Sequence, residues 1–323
     1  MLVIDTKILD KLIEMCNLII KNPWKSVILA IILLLLAFII TIIVYRKSKI
    51  IQKAINFITS LFFPLIKKDK VVMAIFSKNQ AVFKNVLNEY CLVGYKKFQL
   101  GYIKEFEKGS EISELILQKI IDKQYKVMTK IKKGIKNKDS LVYLGFPHVP
   151  IAFLDGKNFS KTDNTILYEY NGSLANSSDK DFFELKNIYN SEIKLTSNYN
   201  NIILSGDEVA LKIEQSFLIN DTEIKNVVGS LPIIYLRNNE IKRWEIESYA
   251  DVDIIVKEFN EILKFCKSKG IKKIHLFLTT PVSLTFSLGK VVEHYHPNII
   301  IYNYNNNKFD WCIDCSERKV IKI

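Results

Sequence analysis

Two stretches of the chain share one plan, and that plan restricts the fold more than any other feature. "HLFLTTPVSLTFSLGK", residues 275–290, runs from an apolar stretch through a proline-containing turn to a second apolar stretch and a closing Gly-Lys. "YLGFPHVPIAFLDGK", residues 143–157, does the same. Each is followed by an aromatic run, "IIYNYN" at 300–305 and "ILYEYN" at 166–171. A near-continuous apolar run reads as a strand covered on both faces. The second apolar stretch has two readings. Val282, Leu284, Phe286 and Leu288 alternate, as a strand would. The first copy, "VPIAFLDG", does not alternate, and a parallel crossover needs a dozen or more residues, usually helical. A short helix is therefore expected in both copies. Thr280 is expected to cap the second, with Pro281 at its first position, where a missing N–H costs nothing, and Gly289 as a left-handed stop.

The surrounding sequence extends the repeat. "VVMAIF" (71–76), "KKFQLGY" and "SLVYLGF" read as strands, with a long helix over 111–133. "EVALKI" (208–213), "LPIIYL" and "KIHLFL" repeat the order, with a helix over 251–268. First to third strand takes about 70 residues in one half and about 65 in the other. The expected fold class is α/β: two tandem Rossmann-like subdomains with mostly parallel sheets, at about 71–190 and 205–323.

Ahead of them lies a different kind of segment. "VILAIILLLLAFIITIIVY", residues 27–45, carries no charge. At 1.5 Å per residue it spans about 28 Å, enough for a hydrocarbon core of about 30 Å. Trp24 and Tyr45 stand at its ends, as interfacial aromatics do. Arg46, Lys47, Lys49 and Lys53 follow it, which places the rest of the chain in the cytoplasm by the positive-inside rule. Residues 50–66 read as an interfacial helix, a second span being the alternative, and residues 1–20 as an amphipathic helix. Residues 1–70 form the membrane-anchoring region, and the expected location is the bacterial inner membrane.

Charge supports that division. The net charge of +12 is unevenly placed: residues 1–70 hold +7 of it, leaving +5 for the remaining 253 residues. Such a distribution suits anionic lipid and argues against a polymeric nucleic acid partner. Five cysteines without regular spacing point to a reducing compartment; the lone CxxC at Cys312 and Cys315 would need two more ligands for a zinc site, with only His294 and His296 nearby, and reads rather as strand-end cysteines. No cofactor or metal is expected.

In open α/β sheets, ligands bind beyond the carboxyl ends of the strands. The residues expected there are Ser77, Lys78, Asn79, Pro147, His148, Gln215, Ser216, Thr279, Thr280, Pro281 and Ser283. Hydroxyls, amides, backbone N–H groups and one ammonium suit phosphates and nucleobases. Tyr170 and Tyr304 end the last strands, placed to pack in the sheet or to stack on bases. No GxSxG, P-loop, HExxH or GxGxxG occurs, and His148 has no evident nucleophile beside it, so no catalytic residue is assigned.

"IHLFLTTPVSLTFSLGK" followed by "IIIYNYNNNKFDWCI" resembles the C-terminal signature of SAVED domains, the cyclic-oligonucleotide sensors of CBASS antiphage systems. The matching residues are Ile274–Leu278, Thr279–Pro281, Val282–Gly289 and Ile301–Tyr304, with Thr279-Thr280 where the family usually has small apolar residues. The resemblance covers roughly 71–323 and implies tandem CARF-like subdomains. With the upstream apolar segment it implies a transmembrane-SAVED effector. Such a protein would bind a cyclic di- or trinucleotide made by a cognate nucleotidyltransferase, form a ligand-induced homo-oligomer, and disrupt the membrane to cause abortive infection. A membrane-tethered nuclease or ring nuclease, or a scaffold without a ligand, are the alternatives.

Overall fold

The computed structural model describes residues 70–76, 96–106, 112–134, 140–159, 164–170, 182–188, 190–241, 246–305 and 308–323. All belong to one compact unit, Lys67–Ile323. The segments at 1–20, 27–45 and 50–66 lie outside the described residues, and so do Ser77, Lys78 and Asn79. Among the described residues no helix is long and apolar enough to cross a membrane.

Two sheets carry the unit. The first contains β1 (Lys70–Phe76), β2 (Lys96–Gly101), β3 (Ser140–Phe146), β4 (Thr165–Tyr170) and β5 (Phe182–Glu184), ordered β2-β1-β3-β4-β5. The second contains β6 (Leu195–Ser197), β7 (Glu208–Glu214), β8 (Ile233–Asn238), β9 (Lys273–Thr279), β10 (Asn298–Asn305), β11 (Lys308–Asp314) and β12 (Lys319–Lys322), ordered β12-β11-β10-β9-β7-β8-β6. The central four strands are parallel in both sheets. They also stand in the same relative order, β2-β1-β3-β4 against β8-β7-β9-β10, as a duplicated unit requires. Antiparallel pairing is confined to the margins.

The first half carries α1 (Ile103–Phe106), α2 (Glu114–Gly134) and α3 (Val149–Asn158); the second carries α4 (Asp221–Val228), α5 (Tyr249–Ser268) and α6 (Val282–Lys290). Local chemistry fixes several ends. Ser248 and Asp251 form a reciprocal capping box at the start of α5. Asn220 accepts from the Thr222 N–H at the start of α4, and Gly229, with φ of 73°, closes it.

The repeated helices α3 and α6 pack on each other, and one continuous core joins their buried residues to both sheets. Their contact explains the glycine of each copy. A Cβ on Gly156 would lie 1.9 Å from the Phe286 carbonyl oxygen, and one on Gly289 would lie 2.1 Å from that of Phe153. Each phenylalanine stands three residues before the other glycine, so the crossing is reciprocal. Gly289 is thus a helical residue demanded by close backbone approach, not the left-handed stop expected from sequence. The lysine after each glycine reaches the other half: Lys157 Nζ donates to the Cys315 carbonyl at 2.6 Å, and Lys290 Nζ to Thr165 Oγ1 at 2.8 Å.

Candidate functional site: the carboxyl edge of the second sheet

Strands β7 and β9 end side by side, and their ends are tied together. The N–H groups of Gln215 and Ser216 both donate to the Thr279 carbonyl, at 3.3 and 2.8 Å. Thr279 Oγ1 donates to the Phe217 carbonyl at 2.6 Å. The loop after β7 is pinned from below. Buried Glu214 accepts the Ile219 N–H at 2.7 Å, while Lys212 Nζ contacts Glu214 at 3.1 Å, Asp221 at 2.8 Å and the Ile219 carbonyl at 3.0 Å. Five consecutive residues are thereby fixed in one path that leaves Phe217 and Leu218 exposed. Phe217 lies 5.8 Å from the Tyr304 ring, which also packs on Phe309. Tyr304 Oη contacts Glu223 at 3.4 Å.

At the centre of this arrangement sits an unmet demand. Gln215 is 2% exposed, and neither Nε2 nor Oε1 has a hydrogen-bond partner among the described residues. A buried amide without partners costs about 1–3 kcal/mol. Such a group calls for an explanation, and an ordered water or a ligand can supply one.

Other expected site residues serve the fold. Pro281, not Thr280, occupies the cap position of α6 and supplies no side-chain bond. Thr280 is buried one residue earlier, its Oγ1 2.7 Å from Thr285 Oγ1, so the threonine expected to cap the helix binds its first turn from outside. The actual cap comes from the other half. Glu169 Oε2 accepts the Ser283 N–H at 2.8 Å and also the Ser283 hydroxyl. Burial pushes the Glu169 carboxyl up, against the pull of those bonds. A carboxyl group therefore already occupies the α6 N-terminus, one of the strand-end places where sequence suggested a ligand. The sequence signal for Glu169 was its position: one charged residue inside the apolar strand "ILYEY".

Pro147 and His148 are both buried at the start of α3. The His148 ring stacks on Phe106 at 4.0 Å and lies 6.2 Å from Trp311 of the second half. Tyr170 packs between Phe146 and Phe182, in the sheet rather than at its rim. The structure thus brings together Gln215, Ser216, Thr279 and Tyr304. Sequence reasoning missed Phe217 and Leu218, whose exposure depends on the Lys212–Glu214 pinning. Cys266, Cys312 and Cys315 are buried, and burial pushes each thiol up to about 12.

The paired α/β sheets agree with what comparison finds. The model of the SAVED family, "SMODS-associated and fused to various effectors sensor domain", matches residues 124–314. Among solved structures, the Acinetobacter baumannii Cap4 SAVED/CARF-domain containing receptor with the cyclic trinucleotide 2′3′3′-cAAA aligns with a TM-score of 0.51 at 18% identity, over 80% of this chain and 53% of that one. The same receptor with 3′3′3′-cAAA aligns with a TM-score of 0.50 at 16% identity, over 73% and 49%. The chain therefore spans about half the length of these receptors, and the likeness is one of fold. No curated protein matches the sequence. With more than half its length inside the family match, the chain belongs to the SAVED family.

Proposed function

We propose that this protein is a membrane-anchored sensor-effector of antiphage defence. Its SAVED domain binds a cyclic oligonucleotide, protomers then associate, and the assembled N-terminal segments breach the inner membrane. The observation that carries the sensing step is the unpartnered Gln215 amide at the β7–β9 edge, beside the exposed Phe217 and the Tyr304 ring. An amide with two donors and an acceptor suits a nucleobase edge, and neighbouring rings suit base stacking. The Cap4 receptor that shares the fold holds a cyclic trinucleotide. The uncharged run at 27–45 and its basic flank support the anchor and the cytoplasmic position of the sensor. We assign no catalytic residue.

Calorimetry on the full-length detergent-solubilised chain tests the sensing step. The probes are 2′3′3′-cAAA, 3′3′3′-cAAA, cyclic di-AMP, cyclic di-GMP and linear ApApA. Saturable binding of at least one ring, and none of the linear trimer, is expected. If no ring binds, the sensor reading falls, and a scaffold without a ligand takes its place.

A further inference from the structure

Helix α2 carries a charge pattern that the sensor reading does not use. Its buried face is made by Leu117, Ile120, Ile121, Gln124, Met128 and Ile131. On the outward face, Lys119, Lys123, Lys126, Lys130 and Lys133 are all exposed. At about 100° per residue these five fall within an arc of about 80°. Leu115 and Ile116, 64% and 40% exposed, flank the same arc at the start of the helix. The acid at its margin, Asp122, accepts from Gln118. None of the five lysines makes an ion pair among the described residues, although Lys123 lies 5.4 Å from the Tyr102 ring.

The duplication supplies an internal control. Helix α5 holds the equivalent place, between the second and third parallel strands of its half. Its charges are mixed (Asp253, Lys257, Glu258, Glu261, Lys264, Lys267), and Lys264 pairs with Glu261 at 2.7 Å. Neither position in the fold nor the general lysine content explains the one-sided face of α2.

We infer that the α2 face docks on an anionic phospholipid surface. The five lysines line one narrow side of the helix, which suits a sheet of headgroup charge, and Leu115 and Ile116 give it an apolar edge to press into the interface. A nucleic acid groove would favour guanidinium forks and aromatic platforms, and the arc has neither. Proximity to a bilayer rests on the anchored reading above; the face itself does not.

The test uses full-length chain in nanodiscs of neutral phosphatidylcholine or of phosphatidylcholine with about a third phosphatidylglycerol. An amine-acylating reagent and mass spectrometry then give the labelling rate of each lysine. In anionic discs the five α2 lysines should label at least about fivefold more slowly than in neutral ones, recovering in about 1 M salt, while Lys257, Lys264 and Lys267 stay unchanged. Equal rates in both discs overturn the inference. If the chain does not enter discs, the anchored reading fails and the same labelling is run with preformed anionic vesicles; protection there upholds the lipid face, and none overturns it. Equal protection by a DNA duplex without lipid also overturns it. In the combined Lys119→Glu, Lys123→Glu, Lys126→Glu and Lys130→Glu variant, with unchanged thermal melting, the remaining Lys133 should lose its protection and label at the same rate in anionic and neutral discs. Persistent protection of Lys133 in that variant overturns the lipid face.

Discussion

Gln215 and Asp155 are both buried polar residues, and their surroundings give them opposite roles. The Gln215 amide has no partner, so Gln215→Leu should leave thermal stability equal or slightly higher, because it removes an unsatisfied group of similar volume. Binding of an adenine-containing ring should weaken by about 1–3 kcal/mol, measured by calorimetry. Unchanged affinity would move base recognition away from the β7–β9 edge. Asp155 is fully buried and fully engaged: it accepts from Gln124 Nε2, and the Tyr143 hydroxyl lies 3.4 Å away. Burial holds its carboxyl well above the usual range, outweighing both bonds. The folded state therefore keeps a proton that the unfolded chain releases above about pH 4. That contribution to stability is complete below the unfolded pKa and is lost as pH rises through the folded one. Glu169 acts in the same direction. Asp155→Asn should remove its share, so the variant's melting temperature should gain on wild type as pH is raised from 4.5 to 8. Parallel curves would mean that Asp155 is ionised in the fold.

Between elements, the informative contact is the crossing of α3 and α6. Gly289→Ala places a methyl group 2.1 Å from the Phe153 carbonyl, a backbone atom that moves only if α3 moves. Helix propensity would favour the change by about 1 kcal/mol, but overpacking at the crossing should win, for a net loss of about 1–3 kcal/mol in urea unfolding. A gain in stability would show that the helices slide apart freely. This crossing also marks how far sequence reading reaches. The strands, the short helices and the duplication were legible, because apolar runs and turns are local signals. The role of Gly156 and Gly289 was not, since a glycine at the end of an apolar run looks alike whether it turns the chain or admits a neighbouring helix. Nor was the cap of α6 by Glu169, which comes from 114 residues away. The site divides in the same way. Gln215, Ser216 and Thr279 follow from the rule that ligands bind at strand ends, whereas Thr280 and Ser283 satisfy the same rule and are consumed by Thr285 and Glu169.

On the scale of the whole molecule, the proposed function joins sensing to membrane action by assembly, because one apolar helix cannot line an aqueous path. The run at 27–45 has no charge and would leave polar groups in lipid unmatched if it were asked to conduct alone. Under that proposal a breach comes from several protomers, with residues 1–20 or 50–66, read from sequence as amphipathic or interfacial, thinning or lining the bilayer. Replacing residues 31–40 by a uniform leucine stretch should keep the anchor and keep ligand-triggered depolarisation. Placing glutamate at Ile8 and Leu12, on the apolar side of the first segment, should abolish depolarisation while leaving ring binding intact. Both are measured with a potential-sensitive dye in cells that co-express an active nucleotidyltransferase, against a catalytically dead control. Depolarisation with the dead control would separate membrane damage from sensing. Ligand-dependent death with the membrane potential intact would instead favour a tethered enzyme, since a soluble product rather than a breach would then be killing the cell.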